Sequence, residues 1–251
     1  MSKIALITGA TSGIGEACAH LFAEQNYSLI LLARRTKKLE ALANKLNREF
    51  GVAVKTFVID VRLKDEVLKL EELDEDWKKI DVLINNAGLS LGLDPVHQGD
   101  TNDWDSMIDT NVKGLLYVTK TISPWMVQRN SGHIINIGSI AGKETYANGN
   151  VYCATKHAVD SLNKAMRIDL LPYGIKVTAI NPGAVETEFS EVRFKGDKER
   201  AKSIYQGFEP LRARDIAEAI WFAVSRPAHV NINDMLIMPT AQADTSHLIK
   251  N

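Results

Sequence analysis

The sequence predicts an α/β fold, a parallel sheet of about seven strands with helices wound over both faces. Three observations predict it. Short apolar runs alternate with longer stretches of helical periodicity along the chain, the order that builds strand–helix–strand units. The short runs are apolar at consecutive positions, as strands covered on both sides must be. A glycine cluster (Gly9, Gly13, Gly15) follows the first run, where the chain must turn tightly into its first helix.

Taken in order, residues 3 to 8 read as a buried strand ended by Gly9. Residues 13 to 26 follow as a helix, with Ile14, Ala17, Cys18, Leu21 and Phe22 on one face. Residues 28 to 33 are a second strand. Residues 36 to 50 are a helix with Leu39, Leu42, Ala43 and Leu46 at helical spacing. A strand over 53 to 59 and a helix over 63 to 76 repeat the pair. Residues 81 to 85 form the fourth strand, 112 to 129 a long helix, and 132 to 137 the fifth strand. A helix over 150 to 172 and a strand over 176 to 181 come next. A helix over 215 to 225 has Asp215 as its expected cap with Glu218 three residues on, and Pro227 bars its continuation. Residues 234 to 238 are the last strand. Between the sixth strand and the last helix, residues 182 to 212 read as one long irregular stretch punctuated by Gly183, Gly196 and Gly207. Such a loop within a compact domain is usually functional, and a substrate lid over about 184–212 is expected. No linker, repeat or composition shift divides the chain, so residues 1–251 are expected to form one domain.

Composition excludes several functions. The 251 residues are 45% hydrophobic and 24% charged, with a formal net charge of −1. That balance, without a basic run, gives no sign of a nucleic-acid partner. Cys18 and Cys153 are too few and too scattered for a disulfide framework, and no cluster has metal-ligand spacing. We expect buried thiols in a reducing compartment and no metal. No apolar run reaches membrane-spanning length. A soluble cytoplasmic protein with no membrane contact is the expectation.

The chemistry is carried by Ser139, then Tyr152 thirteen residues on, then Lys156 four further. On a helix Tyr152 and Lys156 share a face, roughly 6 Å apart along the axis. An ammonium that close is expected to lower the phenol pKa, and such a phenol can exchange a proton with a carbonyl or alcohol oxygen. Ser139 can hold the same oxygen. A hydride carrier is still needed, and the Gly9–Gly15 loop at the start of the first helix suits a pyrophosphate. This places the chain among Rossmann-type doubly wound folds. The second strand ends in Ala33-Arg34-Arg35, with no acid for a ribose hydroxyl. Two guanidiniums fit a 2′-phosphate, so NADP(H) is the expected cofactor. Asp60 and Val61 are placed to receive the adenine, Asp60 by side chain or backbone, and Asn86, Ala87 and Gly88 to line the same sheet edge. A carboxylate-bearing substrate would need a cation, and Arg193 is the candidate.

In these residues the chain resembles the short-chain dehydrogenase/reductase family over nearly its whole length. Thr8-Gly9-x-x-x-Gly13-x-Gly15, Asn85-Asn-Ala-Gly88, Asn111, Ser139, Tyr152-x-x-x-Lys156 and Asn181-Pro-Gly183 fall in the family's order. The resemblance implies a tetrad of Asn111, Ser139, Tyr152 and Lys156. It implies Tyr152 as acid/base, Ser139 holding the substrate oxygen, and Lys156 lowering the Tyr pKa and binding the nicotinamide ribose. Asn111 would position a water relaying protons to Lys156. Thr11, Ser12 and Ile14 would join the glycines at the cofactor, and Pro182, Gly183, Val185 and Thr187 would meet its nicotinamide end. Residues 85–95, 103–111, 187–197 and 227–233 are similar to the NADP-dependent 3-hydroxy acid dehydrogenases that act on L-allo-threonine, serine and related β-hydroxy acids, and reduce malonic semialdehyde. That branch implies a homotetramer. The chain departs from it at Lys143-Glu144-Thr145, which borders the substrate. Two other readings stay open: a reductase of another small carbonyl, such as a short or sulfonated aldehyde, and an NADPH-binding sensor without catalysis. The intact proton-transfer set weighs against the sensor.

Overall fold

The structure is a computed structural model, and it describes residues 2–251. In chain order it forms β1 (Ile4–Thr8), α1 (Gly13–Glu24), β2 (Ser28–Ala33), α2 (Thr36–Phe50), β3 (Val54–Val58), α3 (Lys64–Leu68) and β4 (Val82–Asn85). Then come α4 (Thr101–Ile108), α5 (Leu115–Arg129), β5 (His133–Ile137), α6 (Asn150–Leu170) and β6 (Lys176–Pro182). The last third holds β7 (Val185–Glu186), α7 (Phe189–Arg193), α8 (Lys198–Ser203), β8 (Leu211–Arg212), α9 (Ala213–Val224) and β9 (Asp234–Ile237).

Seven strands form one parallel sheet in the order β3-β2-β1-β4-β5-β6-β9. Alternate residues of each strand feed two cores, as a period of two requires. Ala5, Ile7, Leu29 and Leu31 face Phe22 of α1, Leu39 of α2 and Ile216 of α9. Leu6, Ile30 and Leu32 face Val118 and Ile122 of α5 and Val159 of α6. Each wholly buried Leu or Ile contributes roughly 1.5–3 kcal/mol. The strand order reverses between β1 and β4, and there the carboxyl ends of the strands open into a crevice.

Three elements differ from the sequence reading. The helix expected over 112–129 starts earlier. Asp100 caps α4, accepting from the Asn102 N–H at 2.9 Å, and α4 runs through a π-helical segment, Asp109–Gly114, into α5. The helix expected over 63–76 shortens to α3 and a 3₁₀ turn, Lys69–Glu72. Leu73 leaves the helix (φ −59°, ψ 139°) and so buries its side chain beside Leu70. Asp215 is not the cap of α9 but its third residue, and its carboxylate accepts the Arg212 N–H at 2.7 Å. Nor is the stretch over 182–212 irregular. β7 pairs in parallel with β8 and closes the base of an excursion that carries α7 and α8. Among the described residues no helix is long and apolar enough to cross a membrane, and no His/Cys/Asp/Glu cluster could hold a metal.

Candidate active site

At the switch point the chain is packed to leave room for a ligand. Gly9 has φ +65°, and a Cβ on Gly15 would stand 2.4 Å from the Gly9 carbonyl oxygen, so α1 can start only on a bare backbone. Ser12 offers no side-chain cap, which leaves the first N–H groups of α1 facing the crevice for an anion. Asn86 fastens this loop to β4. Its amide donates to the Thr8 carbonyl at 2.9 Å, while the Asn86 and Ala87 N–H groups donate to Thr8 Oγ1.

The two arginines after β2 have different settings. Arg35 folds over the loop, Nε donating to Thr11 Oγ1 at 3.1 Å and Nη2 to the Thr11 carbonyl at 3.0 Å, and it pairs with Glu188 at 2.7 Å. Arg34 is more exposed, 3.8 Å from Asp60. The Asp60 carboxylate is taken by the Arg62 guanidinium at 2.6 Å. Burial pushes that carboxyl up, but Arg62 pulls harder and holds it below its usual range. The carboxylate is therefore committed, and an adenine is left the Asp60 carbonyl and Val61.

At the other end α6 presents Tyr152 and Lys156 one turn apart, both buried. Lys156 Nζ donates to the Ile137 carbonyl at 2.8 Å and lies 6.0 Å from the Tyr152 ring centroid. Burial lowers the Lys156 ammonium to about 8. The expectation that Tyr152 is shifted down does not hold in the protein alone. Burial and the neighbouring Tyr146 phenol raise it, against opposing pulls from the Ser139 hydrogen bond and Arg193. An ammonium 6.0 Å from the ring centroid does not offset full desolvation of a phenolate. Ser139 caps a short 3₁₀ turn, Ile140–Gly142, its Oγ accepting the Ala141 N–H at 3.1 Å. Asn111 lies in the π segment behind the cleft wall. Its amide accepts the Leu89 N–H and donates to the Leu89 carbonyl, both at 2.8 Å, and donates to Thr155 Oγ1 at 3.0 Å. Both amide protons are used, and Oδ1 keeps one lone pair for a water.

A cleft of about 530 Å³ joins the two ends. Gly9, Thr11, Ser12, Gly13, Ile14, Arg34, Arg35, Asp60, Val61, Asn86, Ala87 and Gly88 line it, as do Ser139, Tyr152, Lys156, Pro182, Gly183, Val185, Thr187 and Arg193. Gly15 and Asn111 stand behind it. Arg193, the last residue of α7, is half-buried with its guanidinium 5.3 Å from the Tyr152 ring centroid. Nε donates to Ser90 Oγ at 3.0 Å, and Nη2 to the Tyr146 hydroxyl. Among the described residues it forms no ion pair, whereas Lys195 is paired with Asp103 at 2.9 Å. Tyr146, Tyr205, Phe208, Gln242, Thr245 and Leu248 also line the cleft, Tyr205 and Phe208 from within the expected lid and the others marked by no motif. The last three belong to a tail that returns from β9, tied to the 140s by Glu144, which accepts from Thr245 N and Oγ1 at 3.1 Å. The residues fit an extended dinucleotide at one end and a small polar substrate at the other, with a proton donor between.

The family described as short chain dehydrogenase matches residues 3–198. An NADP-dependent 3-hydroxy acid dehydrogenase of Salmonella typhi is 48% identical over 242 residues, 96% of each chain. A sulfoacetaldehyde reductase of Chromohalobacter salexigens is 44% identical over 97% of this chain and 96% of its own. Among solved structures, the closed form of serine dehydrogenase complexed with NADP+ superposes with a TM-score of 0.92 at 43% identity, covering 99% of both chains. Serine dehydrogenase from Escherichia coli does so with 0.82 at 40% identity, over 96% of this chain and 99% of that one.

Proposed function

The chain belongs to the short-chain dehydrogenase family, and on that premise we propose that it exchanges a hydride between NADP(H) and the hydroxyl-bearing carbon of a 3-hydroxy acid or β-hydroxy amino acid. L-allo-threonine, L-serine and 3-hydroxypropionate (with malonic semialdehyde as its oxidised partner) are the substrate type. The names of relatives more than 40% identical over nearly the whole chain support the cofactor and the substrate class. The observation that carries the substrate reading is Arg193, a half-buried guanidinium beside Tyr152 with no acidic partner among the described residues. A cation so placed invites a substrate carboxylate, and the Tyr146 hydroxyl and Ser90 fix its plane.

When bound, NADP(H) supplies or accepts the hydride. Tyr152, protonated because it is buried, gives its proton to the carbonyl oxygen in reduction and takes it back in oxidation. The Ser139 hydroxyl holds that oxygen during the transfer. Lys156 is held by the Ile137 carbonyl on the cofactor side of Tyr152 and answers to the ribose. Asn111 fixes Leu89 and with it the loop after β4. Arg34, with Arg35 beside it, takes the 2′-phosphate. Residues 184–212 act as the lid of a single domain. Ile168 and Leu171, 73% and 72% exposed at the end of α6, support a homotetramer that covers them. A cytoplasmic, soluble enzyme completes the reading.

Rates on L-serine, L-allo-threonine, 3-hydroxypropionate and simple alcohols, read by NADPH absorbance, test the class. Arg193→Ala should lower kcat/KM for a hydroxy acid about 10- to 100-fold, the worth of a charge-assisted hydrogen bond, mostly through KM. An unchanged KM removes the carboxylate assignment. A second reading, reduction of a small sulfonated aldehyde, uses the same cation and is favoured by the sulfoacetaldehyde reductase relative. Including that aldehyde in the panel separates the two.

A further inference from the structure

Besides the Glu144–Thr245 tie at its exit, the turn that carries Ser139 is docked on β6, α6 and β9 at three points. At its start the Ser139 N–H donates to Asn181 Oδ1 at 3.2 Å. In its middle Gly142 lies flat on the catalytic helix, where a Cβ would stand 2.6 Å from the Lys156 carbonyl oxygen. At its end the Lys143 ammonium reaches Asp160 Oδ1 and Asp234 Oδ2, each at 2.5 Å. Asp160 lies one turn beyond Lys156 on α6, and Asp234 opens β9. Asp234 Oδ2 also accepts from Asn181 Nδ2 at 3.1 Å, which wires the third point back to the first. Lys164 holds the other Asp160 oxygen at 2.6 Å, so two ammoniums balance two carboxylates.

These contacts divide the labour. Gly142 gives closeness without a key, because a residue lacking a side chain cannot stop the turn sliding along α6. Asn181 holds one atom of Ser139 and leaves rotation about it free. Lys143 supplies the stop: its pair with Asp160, at 26% and 12% exposed, is little screened by salt, while Asp234, 36% exposed, makes the outer and more screened half of the bridge. The distance from Ser139 to the reacting oxygen is what such a stop protects, since a misplacement of about 1 Å costs on the order of 100-fold in rate.

We propose that Lys143 is a positioning residue: by bridging Asp160 and Asp234 it locks the Ser139 turn against α6 and sets the Ser139 hydroxyl relative to Tyr152. The inference rests on the roles given above to Ser139 and Tyr152. It gives a use to the segment in which the chain departs from the branch it resembles.

Three variants test it, assayed with the best substrate of the panel: Lys143→Met, Lys143→Met with Asp160→Asn and Asp234→Asn, and Ser139→Ala as reference. Lys143→Met should lower kcat roughly tenfold with NADPH affinity, read by fluorescence, unchanged. The acid limb of its oxidation pH profile, set by the phenol that must lose its proton to act as base, should move upward, because the Ser139 hydrogen bond favours the phenolate. The triple variant removes the carboxylates left unpaired. It should regain thermal stability but not kcat. If kcat returns together with stability, Lys143 only balances charge and the proposal fails. If Ser139→Ala loses activity while Lys143→Met keeps it, the proposal alone fails. If Ser139→Ala keeps full activity, the assignment of Ser139 falls and takes the proposal with it.

Discussion

In the reaction we propose, Tyr152 is a phenol with two demands upon it. It must be protonated to serve a carbonyl, and its proton must leave easily to serve an alcohol. Burial answers the first by raising its pKa, and Ser139 and Arg193 pull toward the second. Lys156, itself lowered to about 8 by burial, loses its charge in the range where the alcohol reaction gains. Tyr152→Phe removes the proton and little volume, so turnover should fall by about 10²- to 10⁴-fold while NADPH titration by fluorescence still reports binding. Turnover near the parent rate would mean that another group moves the proton. The Tyr152 and Lys156 pair was legible in the sequence because a helix is a ruler: four residues are one turn wherever the helix lies. Ser139, on the turn before α6, was legible only through the family resemblance. The direction of the Tyr152 shift was not, because it depends on how completely α6 is covered. Gln242, Thr245 and Leu248 were not legible either. They reach the cleft through a tail with no period, and only the Glu144–Thr245 tie in three dimensions brings them there.

Among the elements, the π segment between α4 and α5 does the most with the least sequence signal. A turn widened to five-residue bonding is costly and is kept mainly where function needs it. Here it lets the Asn111 amide meet both backbone groups of Leu89, in the segment that follows β4. Trp104, Met107 and Ile108 stand at i, i+3 and i+4, and Asp100 precedes them as a cap, so the early start of this helix had a signal, short and set among polar neighbours, that the sequence reading passed over. Asn111→Ala would strand the buried Leu89 N–H and carbonyl, at about 1–3 kcal/mol for each unpaired group. Urea unfolding should show a loss of roughly 2–6 kcal/mol, beyond any loss of rate. A loss under about 1 kcal/mol would mean that the segment after β4 finds other partners. The excursion between β7 and β8 differs from its sequence reading for a related reason: β7 and β8 are two residues each, too short for any alternation to declare them.

At the scale of the whole molecule, the doubly wound order was readable because β1, β2 and most of β4 and β5 are apolar at consecutive positions, and that pattern survives any error in a boundary. Burying a sheet so fully also traps polar groups, and His133 is one that links the fold to pH. It opens β5, pairs with Lys176 on β6, and is 3% exposed. Thr178 Oγ1 donates to the Ile232 carbonyl at 2.6 Å, so it accepts from His133 Nε2–H at 2.8 Å. Nδ1 has no partner among the described residues. A proton there would be a buried cation with nothing to receive it and the Lys176 ammonium nearby, and burial first, then Lys176, lowers His133 to about 3. The unfolded chain takes that proton near pH 6.5. Between pH 6.5 and about 3 the unfolded state therefore binds more protons than the folded one, and stability falls as pH falls. At one pKa unit per 1.36 kcal/mol, the loss reaches about 3 kcal/mol by pH 4.5. Urea unfolding at pH 7 and pH 4.5 should show it, and His133→Asn, which has nothing to titrate, should lose that much less across the same interval. Equal losses in the two proteins would place the acid sensitivity elsewhere, in the carboxylates that Arg62, Lys143 and Lys164 now hold charged.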